Sequence, residues 1–358
     1  MRILHVLNFL SVGGAETMVL QLAREQKRMG HDVTICCMYG AGPLDSRAVE
    51  FGLPVVHLHS KQTRFAKIRA LYAYLGKNRY DVLHSHWEVW LGTAIAGYLR
   101  GIPRIHTNHG NHPRRLFMEH RLASPFTTKL VVLTPDVEPY IAKWVGVPAR
   151  KIEVIPNGIE LTRFDAATRV EIDRIPPEAP VVGMIARLSP PKDYPTLMRA
   201  AEIVAKTHPE AHFIGIGTGK QLEEFEAMAA DLGLTNFHFL GGRSDVPRLL
   251  KRMTVNVLST RQEGHPLSLV EALASRCAAI GSDIPSVRFT LEDGKSGLLV
   301  PGGDPAALAA AISRLLDDPA LRESLAAHGW EYSRRFDVAQ MARSYLDLYA
   351  RVVAAKAE

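Results

Sequence analysis

Thirteen short apolar segments, each followed by a polar loop and most then by a helix-like stretch, constrain this chain more than any other feature. In the first half they are 2–8 "RILHVLN", 32–38 "DVTICCM", 53–58 "LPVVHL", 81–84 "DVLH", 103–107 "PRIHT", 129–133 "KLVVL" and 151–155 "KIEVI". After "PNGIELTRFD" the pattern restarts with 180–186 "PVVGMIA", 211–216 "AHFIGI", 236–240 "NFHFL", 254–258 "TVNVL", 278–281 "AAIG" and 297–300 "GLLV". Short apolar strands alternating with helices predict an α/β fold with parallel sheets covered on both faces. At 358 residues the chain exceeds what one hydrophobic core usually supports, so two domains are expected. The polar, proline-containing stretch 165–180 predicts a linker, separating residues 1–164 from 165–337. The spaced apolar residues of 338–354 predict a last helix, and its periodicity does not say which half it joins.

Charge divides along the same line. Residues 1–163 hold 21 Lys+Arg against 12 Asp+Glu, whereas the remainder holds 22 against 25, so the excess positive charge lies in the first half. That is either a well-solvated basic domain or a surface for an anionic partner, phosphate or acidic lipid. The opening "MRILHVLNFLSVGGAE" has one Arg and a short apolar stretch, but His5, Asn8 and the glycine pair suit a strand and loop better than a targeting segment. No apolar run approaches the ~18 residues that span a bilayer. The three cysteines form no CxxC motif, which fits a reducing, cytoplasmic setting.

Ligands of open parallel sheets bind outside the carboxyl ends of the strands. The residues just after each strand are therefore the candidates. Gly13 and Gly14 follow the first strand, where backbone can come close to a ligand and a helix start offers free N–H groups to an anion. Strand 180–186 runs into "ARLSPPKD", placing Arg187 at its end and Lys192 at the start of the next helix. A fork-shaped and a compact cation there suit a diphosphate. "GIGTGK" places Gly217 and Gly219 after another strand, without the dinucleotide fingerprint. The segment 261–273, "RQEGHPLSLVEAL", carries Glu263 in a loop and Glu271 one turn inside a helix. The N–H groups of Leu267, Ser268 and Leu269 would be unpaired at that helix start. Carboxylates beside such an anion site accept hydrogen bonds from hydroxyls, so the set points to a nucleotide-activated sugar. No two aspartates are spaced Asp-x-Asp, so an essential divalent metal is not expected.

Six of the fifteen histidines (His84, His86, His106, His109, His112 and His120) lie between 84 and 120. Zinc favours such clusters, but no completing carboxylate or cysteine is evident, and strand-end histidines facing a cleft, some of them merely packed, account for them better. His109, followed by Gly110, is placed to reach a reacting sugar. Two stretches, 61–79 and 112–126, mix cations with aromatic and aliphatic residues. They read first as amphipathic helices packed on their own sheet and second as membrane contacts.

Taken in order, "GGAE", "TNHG", "VIPNGIELTRF", "ARLSPPKD", "EGHPLSLVEALA" and "EDGKSGLLVPGGD" resemble the retaining glycosyltransferases of family 4, across nearly the whole chain. The resemblance implies a GT-B fold: two Rossmann-like domains whose parallel sheets face each other across a cleft, with helix 338–358 crossing back onto the first. It implies that Glu263 contacts donor-sugar hydroxyls and Glu271 the ribose. Arg187, Lys192, the N–H groups of 267–269 and the Gly14 loop would stabilise the departing diphosphate, with Gly13, Gly217 and Gly264 also at the donor. His109 would sit beside the anomeric centre. The donor would be a UDP- or GDP-sugar, transferred with retention and without cofactor or metal. The acceptor would be a glycan or lipid-linked glycan of polysaccharide biosynthesis, made in the cytoplasm or at an anionic membrane face; no nucleic acid is implied. Departures are "ASRCA", with Arg276 and Ala278 where the family reads Ala-x-Gly-x-Pro, and Phe289 where a Glu is usual. A GT-B epimerase acting on the donor alone, or a nucleotide-sugar-binding protein without turnover, remain alternatives at this level.

Overall fold

The computed structural model describes residues 1–61, 63–110 and 117–357. Two compact units result, Met1–Gly158 with Val338–Glu358, and Ile159–Asp337. The first holds a seven-stranded sheet built from β1 (Arg2–Leu7), β2 (Asp32–Cys37), β3 (Val55–His57), β4 (Val82–His86), β5 (Arg104–Asn108), β6 (Lys129–Val132) and β7 (Ile152–Val154). Its strands are all parallel, in the order β3-β2-β1-β4-β5-β6-β7. The second unit holds β8 (Val181–Ile185), β9 (His212–Ile216), β10 (Phe237–Phe239), β11 (Val255–Leu258), β12 (Ala278–Ser282) and β13 (Leu298–Val300). These are parallel in the order β10-β9-β8-β11-β12-β13. Central strands are buried throughout, as β4 and β12 illustrate, because helices cover both faces. Both units are Rossmann-like. Their strand order reverses between β1 and β4 in one and between β8 and β11 in the other, and such reversals open the crevice where α/β sheets take ligands.

The break between units falls after Gly158, ahead of the expected boundary at 164. The reason is apolar: Ile159, Leu161 and Phe164 bury in the second unit's core, beside Phe336. The stretch 165–180 is likewise not a free linker, since Ile172 and Ile175 anchor it to that same core. The last helix, Val338–Ala357, belongs to the first unit. There Tyr345, Leu348 and Tyr349 are fully buried against the helix Gly14–Arg28 and the β1 side of the sheet.

Candidate functional site

In the second unit the loops after β8 and β11 are stitched together. Arg261 N–H donates to the Pro191 carbonyl at 2.8 Å, Thr260 Oγ1 to the same carbonyl at 3.0 Å, and Ser259 Oγ to the Asp193 carbonyl at 3.0 Å. Asp193, buried and in the left-handed region at φ 51°, accepts from Arg261 at 3.0 and 3.2 Å and from Thr196 Oγ1 at 2.9 Å. This clamp brings Lys192 and Glu263 into a direct ion pair, both largely shielded from solvent. Lys192 ends a short 3-10 turn, Pro190–Lys192, instead of starting the helix, which runs Tyr194–Val204 after the turn forced by Asp193. Arg187 is exposed just past β8, and its guanidinium has no partner among the described residues.

The helix expected after Glu263 is Leu267–Ala274, entered through Pro266 with no side-chain cap. Leu267 and Ser268 N–H have no acceptor among the described residues. Leu269 N–H, expected to be free, instead donates to the Pro266 carbonyl at 3.0 Å, because the chain tightens at its first turn. Glu271 lies one turn in, partly accessible, its carboxylate without a hydrogen-bond partner among the described residues. Burial pushes its carboxyl up to about 7, opposed by nearby Arg163. Gly264 stands between Glu263 and His265 in this bend.

Gly217 has a role the sequence reading did not give it. A Cβ there would lie 2.1 Å from the Ala186 carbonyl oxygen, and one at Gly219 would lie 2.0 Å from that of Leu188. These glycines let the loop after β9 run against the loop after β8, where Ala186 and Leu188 N–H donate to Ile216 and Thr218. They hold Arg187's loop from within. Gly14 differs, since a Cβ there would meet nothing within 4 Å among the described residues. Gly13 caps the helix Gly14–Arg28, and a Cβ there would displace the Glu16 carboxylate, which accepts from Ser11 Oγ at 2.5 Å.

In the first unit, His109 follows β5 and is buried, its Nε2 at 3.0 Å from His86 Nδ1 and its ring 5.7 Å from that of Trp87. His86 Nε2 in turn reaches His5 Nδ1 at 3.0 Å, and His5 Nε2 reaches Gln26 Oε1 at 2.8 Å. His84 joins Tyr349 and Thr107 at 2.5 and 2.7 Å. Nitrogens of His5, His84 and His86 lie within 4.8 Å of one another, a spacing a metal ion could bridge, yet all six ring nitrogens already have hydrogen-bond partners. Burial holds all three imidazoles neutral: His5 falls to about 4, and His84 and His86 fall well below their ordinary value. His106 stacks on Trp90 at 4.4 Å with its Nδ1 2.9 Å from Ser85 Oγ, and His120 packs on the same indole ring. His112 lies outside the described residues.

Sequence reasoning missed five contributors. Asp193 and Arg261 were visible only as a charge next to each candidate residue. Gln26 and His5 sat inside a helix and a strand with no local signal. His265 was passed over beside Glu263; it is buried against Phe289 and Phe336, both ring nitrogens lack a partner among the described residues, and burial lowers it to about 3. Phe289 thus packs an aromatic pocket behind the Glu263 loop. Arg276 takes φ 56° and lays its guanidinium 4.2 Å over Trp330, away from Glu263's loop.

Comparison with known proteins follows the same two halves. Residues 12–163 match the family described as Glycosyltransferase Family 4, and residues 167–331 match Glycosyl transferases group 1. Over 343 residues the chain is 26% identical to a D-inositol 3-phosphate glycosyltransferase of Corynebacterium kroppenstedtii, covering 86% of this chain and 74% of that protein. It is also 26% identical over 345 residues to the UDP-Gal:alpha-D-GlcNAc-diphosphoundecaprenol alpha-1,3-galactosyltransferase of Escherichia coli, covering 89% of each. The crystal structure of Anabaena HepE in complex with UDP is similar at a TM-score of 0.85 and 19% identity, over 98% of this chain and 100% of that one. Sucrose-phosphate synthase of Thermosynechococcus elongatus is similar at 0.83 and 21%, over 99% and 100%. At such identities the structures speak for the fold. Matched in both halves and built as two parallel-sheet Rossmann-like units, the chain belongs among the GT-B glycosyltransferases.

Proposed function

We propose that the protein transfers a hexose-type sugar from a UDP- or GDP-sugar to a glycan or lipid-linked glycan, with retention and without an essential metal. The observation that carries the reading is the Lys192–Glu263 pair at the β8/β11 strand reversal, in the same loops as Arg187 and the N–H groups of Leu267 and Ser268, which have no partner among the described residues. Cations and a helix start serve a diphosphate, while the carboxylates serve hydroxyls. In the reaction the bond from the anomeric carbon to the diphosphate breaks and a bond to the acceptor oxygen forms on the same face. The acceptor proton passes to the leaving phosphate oxygen. Arg187, Lys192 and the helix N–H groups stabilise charge that grows on that oxygen, and His109 acts at the transferred sugar. Donor entry would release Lys192 from Glu263, freeing the cation for phosphate and the acid for sugar hydroxyls. The absence of Asp-x-Asp supports metal independence. That HepE binds UDP and that the Escherichia coli relative uses UDP-galactose and a lipid-diphosphate acceptor favour a UDP-sugar first.

The test is a panel of nucleotide-sugars and lipid-linked acceptors, with transfer followed by product mass and released nucleotide in the presence of EDTA. Lys192→Ala and Glu263→Ala should each lower kcat by about 10²–10³, the usual cost of removing a group that meets transition-state charge. Folded variants with wild-type turnover would remove the assignment. Loss of turnover in EDTA would remove metal independence alone. The basic first unit is also proposed to dock on anionic membrane. No helix among the described residues is long and apolar enough to cross one. Helix Arg64–Lys77 leaves Phe65 exposed beside its cations while burying Leu71 and Leu75.

A further inference from the structure

The hydrogen bonds behind His109 form one connected run whose direction can be worked out atom by atom. Tyr349 Oη lies 2.5 Å from His84 Nδ1. A phenol is a far better proton donor than a neutral imidazole N–H, so Tyr349 donates and His84 Nδ1 accepts. With its own proton committed, the Tyr349 oxygen accepts from Gln26 Nε2 at 3.4 Å. This turns the Gln26 carbonyl oxygen toward His5, which must then donate from Nε2 at 2.8 Å. A neutral His5 keeps a bare Nδ1, which accepts from His86 Nε2–H at 3.0 Å. His86 Nδ1 is then bare and accepts from His109 Nε2–H, also at 3.0 Å. The other branch agrees: His84, its Nδ1 bare, donates from Nε2 to Thr107 Oγ1 at 2.7 Å, and Thr107 Oγ1 lies 2.9 Å from Tyr345 Oη.

We propose that Gln26, His5 and His86 are positioning residues, a one-way relay that fixes His109 as the Nε2–H tautomer and makes its Nδ1 an acceptor. The relay is buried from end to end: His5, Gln26, His84, His86, Tyr345 and Tyr349 are all 0% exposed, so water cannot substitute for a missing partner or reverse the order cheaply. Its direction is set by Tyr349, from the last helix of the chain, which is why that helix must be docked for His109 to be correct. The same run explains why three close imidazoles need no ion: each lone pair already accepts a hydrogen bond. An acceptor at Nδ1 suits a group that takes a hydrogen bond from a sugar hydroxyl, and an Nδ1–H would repel that proton.

This inference rests on the role proposed for His109, and the experiment separates the two. In protein labelled with ¹⁵N-histidine, long-range ¹H–¹⁵N spectra read each tautomer directly, without any substrate. His5, His84, His86 and His109 should all be Nε2–H. A wild-type His109 in the Nδ1–H form overturns the relay. Gln26→Leu removes the acceptor that orients His5, and His109 should shift to a mixture of tautomers. Gln26→Glu keeps an oxygen at that place and should restore Nε2–H. An unchanged His109 signal in Gln26→Leu also overturns the relay. If Gln26→Leu fails to fold, the wild-type and Gln26→Glu spectra still decide. In the transfer assay Gln26→Leu should lose at least tenfold in kcat with donor KM unchanged. A shifted tautomer with full turnover would sustain the relay and remove His109 from the reaction.

Discussion

Glu271 is held in the second unit at a cost. Its carboxyl titrates near 7, not at its ordinary 4.5, because burial disfavours the charged form. Below the unfolded value both states carry the proton, and Glu271 leaves stability unchanged. Between 4.5 and 7 the unfolded chain loses its proton while the native one keeps it, so stability falls as pH rises. Above 7 the full penalty, on the order of 3 kcal/mol at most, is present. Glu271→Gln should therefore melt with wild type at pH 4 and several degrees above it at pH 8, while binding nucleotide more weakly because a ribose hydroxyl loses its acceptor. Coincident melting curves at pH 8 would show that the carboxylate is not strained. Both glutamates, Arg187 and Lys192 were legible in the sequence because the strand-end rule needs only the strands. Asp193, His265 and Gln26 were not, because what they do depends on partners tens to hundreds of residues away that no local pattern encodes. The Leu269 N–H was misread for a smaller reason: whether a first turn tightens onto its cap is decided by backbone angles at Pro266, not by residue type.

Among the elements, the loops after β8 and β9 touch through their backbones, and glycine is what lets them. Gly217→Ala, with φ 149° and a carbonyl 2.1 Å from the added carbon, should force the loops apart and cost about 1–3 kcal/mol in urea unfolding. Because the Arg187 loop moves with it, donor affinity should fall too. Gly14→Ala gives the contrast. It opens a helix where no described residue lies within 4 Å of an added Cβ, so stability should hold or rise slightly, since Ala is the better helix former. If the donor diphosphate approaches that backbone, KM for the donor should nevertheless rise. A loss of stability in Gly14→Ala with unchanged KM would make this glycine a folding residue instead. All thirteen strands were readable to within a few residues, because buried parallel strands announce themselves as apolar runs and the partly exposed edge strands, Val55–His57 and Phe237–Phe239 among them, are short apolar runs too. A glycine's reason for being there was not readable: Gly14 and Gly217 look alike in sequence, and only the neighbouring chain tells them apart.

At the scale of the whole chain the two units are unequal in what they need. Ile159–Asp337 is contiguous and carries its own core around Val182, Phe213 and Ile280. The first unit is discontinuous, and its core includes eight residues brought by the last helix: Val338, Met341, Ala342, Tyr345, Leu346, Leu348, Tyr349 and Val352. At about 1.5–3 kcal/mol for each large side chain buried, that helix contributes roughly 10 kcal/mol before entropy is counted. A domain's net stability is about 5–15 kcal/mol, so the helix is not dispensable. The sequence boundary at 164 would also have cut Ile159, Leu161 and Phe164 away from the core they fill. Residues 159–337 expressed alone should therefore melt cooperatively and bind the donor nucleotide by calorimetry. A piece starting at 165 should be less stable, having lost those three anchors. Residues 1–158 alone should lack a cooperative transition and should recover one when a peptide of 338–358 is added. A cooperative melt of 1–158 without the peptide would mean that the last helix is an accessory to the first unit.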